Sequence, residues 1–88
     1  MNAVYKYPFE VTDEIEIQAP LGAEPLYVGV QNGIPCLWMR VNTNSPDVTH
    51  KFRLAGTGHP LNGARVGKYV GRIEMAEGQL VFHLFTVV

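Results

Sequence analysis

The residue types that most often carry chemistry are scarce in this 88-residue chain: one serine (Ser45), one cysteine (Cys36) and three histidines (His50, His59 and His83). Ser45 falls in Asn42-Thr43-Asn44-Ser45-Pro46-Asp47, a turn-forming cluster. No nucleophile elbow surrounds it, and the sequence fixes no base beside it or beside Cys36. Cys36 lies in an apolar run next to Trp38, the usual setting of a buried, inert thiol. The histidines have neither HxH nor HExxH spacing, which gives no metal-site reading. A lone cysteine excludes an internal disulfide and a Cys-based zinc site. The expectation is a protein that is not an enzyme and takes no cofactor or metal.

Binding chemistry has better candidates. In Ala55-Gly56-Thr57-Gly58-His59-Pro60-Leu61-Asn62-Gly63, two glycines around a threonine allow successive backbone N–H groups to point at one anion. Thr57 and His59 supply further donors, and Arg65 and Lys68 follow. The residues read as an anion site are Gly56, Thr57, Gly58, His59, Arg65 and Lys68. The segment lacks the GxxxxGK[ST] and GxGxxG patterns and no helix follows it. The same glycines would also serve a tight crossover, with His59 packed on Pro60. A second constellation is Tyr27, Trp38 and Arg40, residue types that dominate interface hot spots. Against it stands the reading of Trp38 as filler of a second core layer. A third is the alternation of Lys51, Arg53 and Arg72 with Phe52, Leu54 and Ile73, which suits a sheet with a basic side. Aromatic and basic sheets bind single-stranded nucleic acid, but seven basic residues against eight acidic ones argue against that partner.

The elements that must position these residues read as strands. Nine glycines and six prolines punctuate the chain, with short Val-, Ile-, Tyr-, Phe- and Leu-rich runs between them and no helical periodicity. Seven strands are drawn: Val4–Val11, Glu14–Ala19, Pro25–Gln31, Ile34–Val41, Thr49–Ala55, Lys68–Ala76 and Leu80–Val87, with Leu21–Glu24 as a turn. The fold expected is a single all-β domain over residues 1–88, a small antiparallel β-sandwich or partly open barrel of six to seven strands.

Gln31-Asn32-Gly33-Ile34 is the strongest local signal, because Asn-Gly between apolar runs favours a type I′ hairpin. The resulting register sets Val28 across from Leu37 and Leu26 across from Met39. It gives one aliphatic core face (Leu26, Val28, Val30, Leu37, Met39) and one amphipathic face bearing Tyr27, Trp38, Ile34, Cys36, Gln31 and Arg40. Pro35, without an N–H, marks the start of its strand as an edge or an unpaired margin. A second hairpin turning at Glu77-Gly78 pairs Met75 with Leu80, Ile73 with Phe82, Gly71 with Leu84 and Tyr69 with Thr86 as its core face. The opposite face pairs Arg72 with His83, Glu74 with Val81 and Val70 with Phe85.

Apolar residues make up 47% of the chain and charged ones 17%, below the roughly 25% charged residues typical of soluble domains. A chain this short buries only about 60–65% of its unfolded surface. Some apolar surface is therefore expected to meet a partner or a second copy, so a homo-oligomer is expected. The charges divide along the chain. Lys6 stands against Glu10, Asp13, Glu14, Glu16 and Glu24 before residue 40. Arg40, Lys51, Arg53, Arg65, Lys68 and Arg72 then stand against Asp47, Glu74 and Glu77. Strand pairing would interleave these charges; failing that, they form a basic patch for an acidic partner. No signal peptide is read at the N-terminus, and no apolar run approaches the ~20 residues of a membrane span. The expectation is a cytoplasmic protein with no membrane partner.

Val30-Gln31-Asn32-Gly33-Ile34-Pro35-Cys36-Leu37-Trp38, Gly56–Pro60, Gly67–Gly71 and Gly78–Phe85 resemble a family of short, uncharacterised bacteriophage and prophage proteins. These read much like VQNGxPCLW, GTGHP, GKYxG and GxLVFHxF, and the likeness covers nearly the full chain. The resemblance implies a phage gene product acting in the host bacterial cytoplasm and supplies no mechanism. The function expected is antagonism of a bacterial defence system by binding, with a protein effector or an anionic nucleotide signal as target. The alternative is a small structural component of the virion or its assembly.

Overall fold

A computed structural model describes residues 1–61 and 65–88 and contains seven antiparallel strands and no helix among them. They are β1 (Asn2–Pro8), β2 (Glu14–Pro20), β3 (Glu24–Gln31), β4 (Ile34–Asn42), β5 (Asp47–Gly56), β6 (Val66–Met75) and β7 (Leu80–Val87). They form two open sheets, ordered β1-β4-β3 and β2-β5-β7-β6. The sandwich expectation therefore holds, and the barrel alternative falls away.

The core lies between the sheets and follows the period-two side-chain alternation of strands. Ile15, Ile17 and Ala19 of β2 are buried while Glu14, Glu16 and Gln18 face out. Leu37, Met39 and Val41 of β4 meet Phe52 and Leu54 of β5, Ile73 of β6 and Leu84 of β7 in one cluster. Tyr7 packs against its margin, and burial, then Asp47, then Tyr5 push its hydroxyl above the ordinary value of 10.0.

The first hairpin turns as expected, with φ of 53° at Asn32 and 78° at Gly33. Its register runs Gln31 to Ile34 through Tyr27 to Trp38 and then slips. Leu26 bulges out, so Pro25 rather than Leu26 stands across from Met39. Leu26 is exposed instead of lying on the core face, and so is Val30 near the hairpin tip. β4 is a central strand, so of the two readings of Pro35 the edge falls and the margin holds: the β1–β4 ladder ends at Pro8 across from Cys36. The ladder tolerates Pro35 because β1 ends at Pro8, and Pro35 only accepts there, from Phe9 N at 3.0 Å.

The second hairpin keeps its register from Met75–Leu80 to Gly71–Leu84. Its loop puts Ala76, Glu77 and Gly78 all at positive φ. A bulge at Val70 then moves Tyr69 across from Phe85 on the outer face, where the core had been expected to take it. The extra residue bends β6, and Gly71 lies so close to β3 that a Cβ there would sit 2.9 Å from Val28 Cγ1.

Strand pairing also decides the charge question. β2 sets Glu14 across from Arg53 and Glu16 across from Lys51. Glu24 pairs with Arg40 and Glu74 with Arg72. Among the described residues, acidic side chains of the first half thus stand across from basic ones of the second.

Candidate functional site

Each sheet shows one face to the core and one outward, and the sequence-derived candidates divide between the two outward faces. On the three-stranded sheet, β4 sets Ile34, Cys36, Trp38 and Arg40 along the outer midline. β3 adds Tyr27 across from Trp38 and Glu24 across from Arg40, and β1 adds Val4 and Lys6. The Tyr27 and Trp38 rings lie 5.7 Å apart, tilted by 50°. Trp38 is half-buried, while Tyr27 is 63% exposed. Neither the Tyr27 hydroxyl nor the Trp38 indole N–H bonds to any described residue. Arg40 extends the row and donates to Glu24 Oε1 at 2.8 Å.

Small residues hold this arrangement. A Cβ on Gly29 would lie 2.7 Å from Tyr27 Cε2, so the bare backbone of Gly29 is what the Tyr27 ring lies over. Cys36 stands between Gly29 and Pro8 in register and is buried, its Sγ directed at the Ile34 carbonyl. Lys6 reaches diagonally over β4 and donates from Nζ to Gln31 Oε1 at 2.8 Å. Tyr27, Trp38 and Arg40 are thus brought together, as the hairpin register had implied.

The outer face of the four-stranded sheet differs in how its polar groups are used. His83 on β7 stands between Ala55 on β5 and Arg72 on β6. Its Nε2 lies 2.7 Å from Thr57 Oγ1 and its Nδ1 lies 2.7 Å from the Tyr69 hydroxyl. Tyr69 in turn meets Phe85 edge-on at 5.3 Å. Arg53 stands between Glu14 and Phe85 in register, and its buried Nε finds no partner among the described residues. His83 is near enough to act as a base toward the Thr57 hydroxyl, but its second partner is a neutral phenol, with no carboxylate to hold an imidazolium in place. The constellation reads as a closed hydrogen-bond network. Its signal in the sequence was partial: the hairpin register set Arg72 beside His83, but the Val70 bulge and the long-range β5–β7 pairing were needed to add Tyr69 and Thr57.

The proposed anion loop is divided by the fold. Gly56, Thr57, Gly58 and His59 form one tight turn at the end of β5, closed by His59 N donating to Gly56 O at 3.0 Å with Gly58 at φ 83°. Thr57 N donates to Val81 O at 3.0 Å. Two of the N–H groups that were to cradle an anion are therefore satisfied by carbonyls. The His59 ring lies back over Gly56, where a Cβ would sit 2.7 Å from Nδ1, so its packing surface is Gly56. The turn borders a cleft of about 390 Å³ that continues along Leu80, Val81 and Phe82. Arg65 and Lys68 belong to the opposite end of the sheet. Arg65 O accepts from Val88 N and Lys68 N donates to Thr86 Oγ1, roughly 20 Å along β7 from Val81 at 3.3 Å per residue. Asn62 and Gly63, which the sequence reading included in this loop, lie outside the described residues.

The remaining histidine is structural, its Nε2–H facing the carbonyls of Ala19 at 3.2 Å and Pro20 at 3.0 Å. Among the described residues no group of three or more His, Cys, Asp and Glu side chains could hold a metal ion, and no helix is long and apolar enough to cross a membrane.

Comparison with known families adds one match. A family model described as "Domain of unknown function (DUF7352)" matches residues 1–88, and the chain belongs to that family. No curated protein and no solved structure shows a significant match to it.

Proposed function

We propose that this chain is a non-enzymatic binding protein that docks a protein partner on the outer face of its three-stranded sheet, through Tyr27, Trp38 and Arg40. The reading is carried by one observation. The opposite face of that sheet already supplies the core, yet the outer face holds a tilted aromatic pair whose polar tips bond to nothing described. Trp, Tyr and Arg clustered near the centre of a patch are the composition of interface hot spots. Tyr27 and Ile34 are exposed on the same face as the half-buried tryptophan, apolar surface that a partner could cover.

The resemblance to short bacteriophage proteins directs the proposal further. The partner is a protein effector of a bacterial defence system, met in the host cytoplasm and antagonised by occupation of its surface. A nucleotide signal is the weaker target, because the Gly56–His59 turn uses two of its N–H groups internally and stands apart from Arg65 and Lys68.

The test is phage plating on defence-bearing hosts that express the chain. The native chain is expected to restore plaques, Trp38→Ala to lose most of that effect, and Lys51→Ala to keep it. Equal behaviour of the two variants would remove the aromatic face from the account. Calorimetry with cyclic nucleotides should give no heat; saturable binding there would return the target to a nucleotide.

A further inference from the structure

Four strand edges bound the two sheets, and three of them are defended. β3 is broken by a bulge at Leu26 and β6 by two register shifts, one on either side of Tyr69, and the two strands pack on one another across the sandwich. β2 carries Glu14 and Glu16 and ends in Pro20, devices that discourage another strand. β1 has no bulge, and its one charge, Lys6, and its terminal Pro8 leave the stretch Asn2–Tyr5 unguarded. It runs along β4 in unbroken register from Asn2 to Pro8, and among the described residues nothing pairs with its other side.

The hydrogen-bond parity of β1 fixes what its open side offers. Thr43 N donates to Met1 O and Phe9 N donates to Pro35 O. The odd-numbered residues are therefore the ones bonded to β4, and Asn2, Val4 and Lys6 direct their N–H and C=O groups outward. Pro8 also falls on the open side, where its missing N–H breaks no ladder. Val4 is 58% exposed on one face of this strand and Tyr5 43% exposed on the other.

We propose that β1 pairs antiparallel with β1 of a second copy of this chain, about a two-fold axis at Val4, joining the two three-stranded sheets into one continuous sheet. The strand is complementary to itself in that register. Val4 meets Val4 of the second copy as a hydrogen-bonded pair. Lys6, the only charged side chain of β1, lies across from Asn2, so no like charges face each other. Tyr5 lies across from Ala3, large beside small. Every outward N–H and C=O from Asn2 to Lys6 gains a partner, and Pro8 lies past the last pair. The contact is isologous and closes at two copies. It sets the two Trp38 faces on the same side of the joined sheet and does not depend on what binds there.

Analytical ultracentrifugation and amide hydrogen exchange of the full chain test the pairing. The native chain is expected to sediment as a dimer. The amides of Val4 and Lys6 should gain protection as concentration rises, whereas those of Ala3, Tyr5 and Tyr7 stay protected throughout. Val4→Pro takes away an outward N–H and none of the β1–β4 hydrogen bonds, so it should keep the native fold by circular dichroism and weaken the dimer about tenfold or more. A chain monomeric at every concentration with an unprotected Val4 amide overturns the proposal, and so does a dimer that Val4→Pro leaves intact. Should Val4→Pro fail to fold, the exchange pattern of the native chain decides on its own.

Discussion

The two outward faces of this sandwich are made of similar residues and put them to different use. The three-stranded sheet shows Tyr27, Trp38, Arg40 and Lys6; the four-stranded sheet shows Tyr69, Phe85, Arg53, His83 and Thr57. On the second face the Tyr69 hydroxyl, both His83 nitrogens and the Thr57 hydroxyl bond to one another, and Glu14 and Glu16 oppose Arg53 and Lys51. On the first, the two aromatic rings lie 5.7 Å apart and their polar groups have no hydrogen-bond partner among the described residues. Aromatic and basic content alone therefore does not mark an interface. What separates the faces is where their aromatic polar groups go: the Tyr69 hydroxyl is used within the chain, whereas the Tyr27 hydroxyl and Trp38 indole N–H have no partner among the described residues and leave a partner something to gain.

Substitutions that treat the faces differently test this contrast. The largest effect is expected from Trp38→Ala, which should weaken partner binding about 30-fold or more, the mark of a hot-spot residue at ~2 kcal/mol. Its melting temperature should move little. A binding loss matched by an equal loss of folding would make Trp38 a core residue and erase the contrast.

Gly29→Ala comes next, since the new Cβ at 2.7 Å must displace the Tyr27 ring. Binding should fall about tenfold, equal to ~1.4 kcal/mol, and Cys36 should react faster with a thiol reagent as its cover lifts. An unchanged thiol rate would show that Tyr27 does not shield it.

On the other face, His83→Ala removes two hydrogen bonds and should lower stability by about 1–2 kcal/mol in a urea titration, with partner binding unaltered. Lost binding without lost stability would move the docking surface to this sheet.

The pH response is smaller. The Tyr7 hydroxyl is held above its ordinary 10.0 in the folded chain, so the folded state keeps a proton that the unfolded state has released. Its contribution is fully present below pH 10 and is lost as pH rises through the raised value. Tyr7→Phe should flatten that alkaline decline in the urea midpoint; an unaltered decline would assign it to other groups.

Much of the fold was legible because it is local. Asn32-Gly33 requires positive φ at both positions and so set β3 against β4 from Gln31 to Tyr27, which alone placed Tyr27 beside Trp38. The Glu77-Gly78 turn likewise set Ile73 against Phe82 and Arg72 against His83. The errors begin where a bulge adds a residue, at Leu26 and at Val70, because nothing in the alternation of apolar and polar side chains announces one. The first bulge took Leu26 itself out of the core, and the second sent Tyr69, next to Val70, out to the surface beside His83. Pairings distant in sequence were equally hidden. That β1 flanks β4, and that β5 lies between β2 and β7, decides which charges oppose one another and why Arg65 stands far from Thr57. Neither follows from spacing along the chain.

The contrast between the faces meets its most direct test in photocrosslinking inside defence-bearing cells, with a benzophenone amino acid placed at Tyr27 or at Tyr69. Both positions are exposed aromatics on outward sheet faces. The account predicts a discrete crosslinked partner from position 27 and none from position 69; a partner captured from position 69 alone, or from neither, would contradict it.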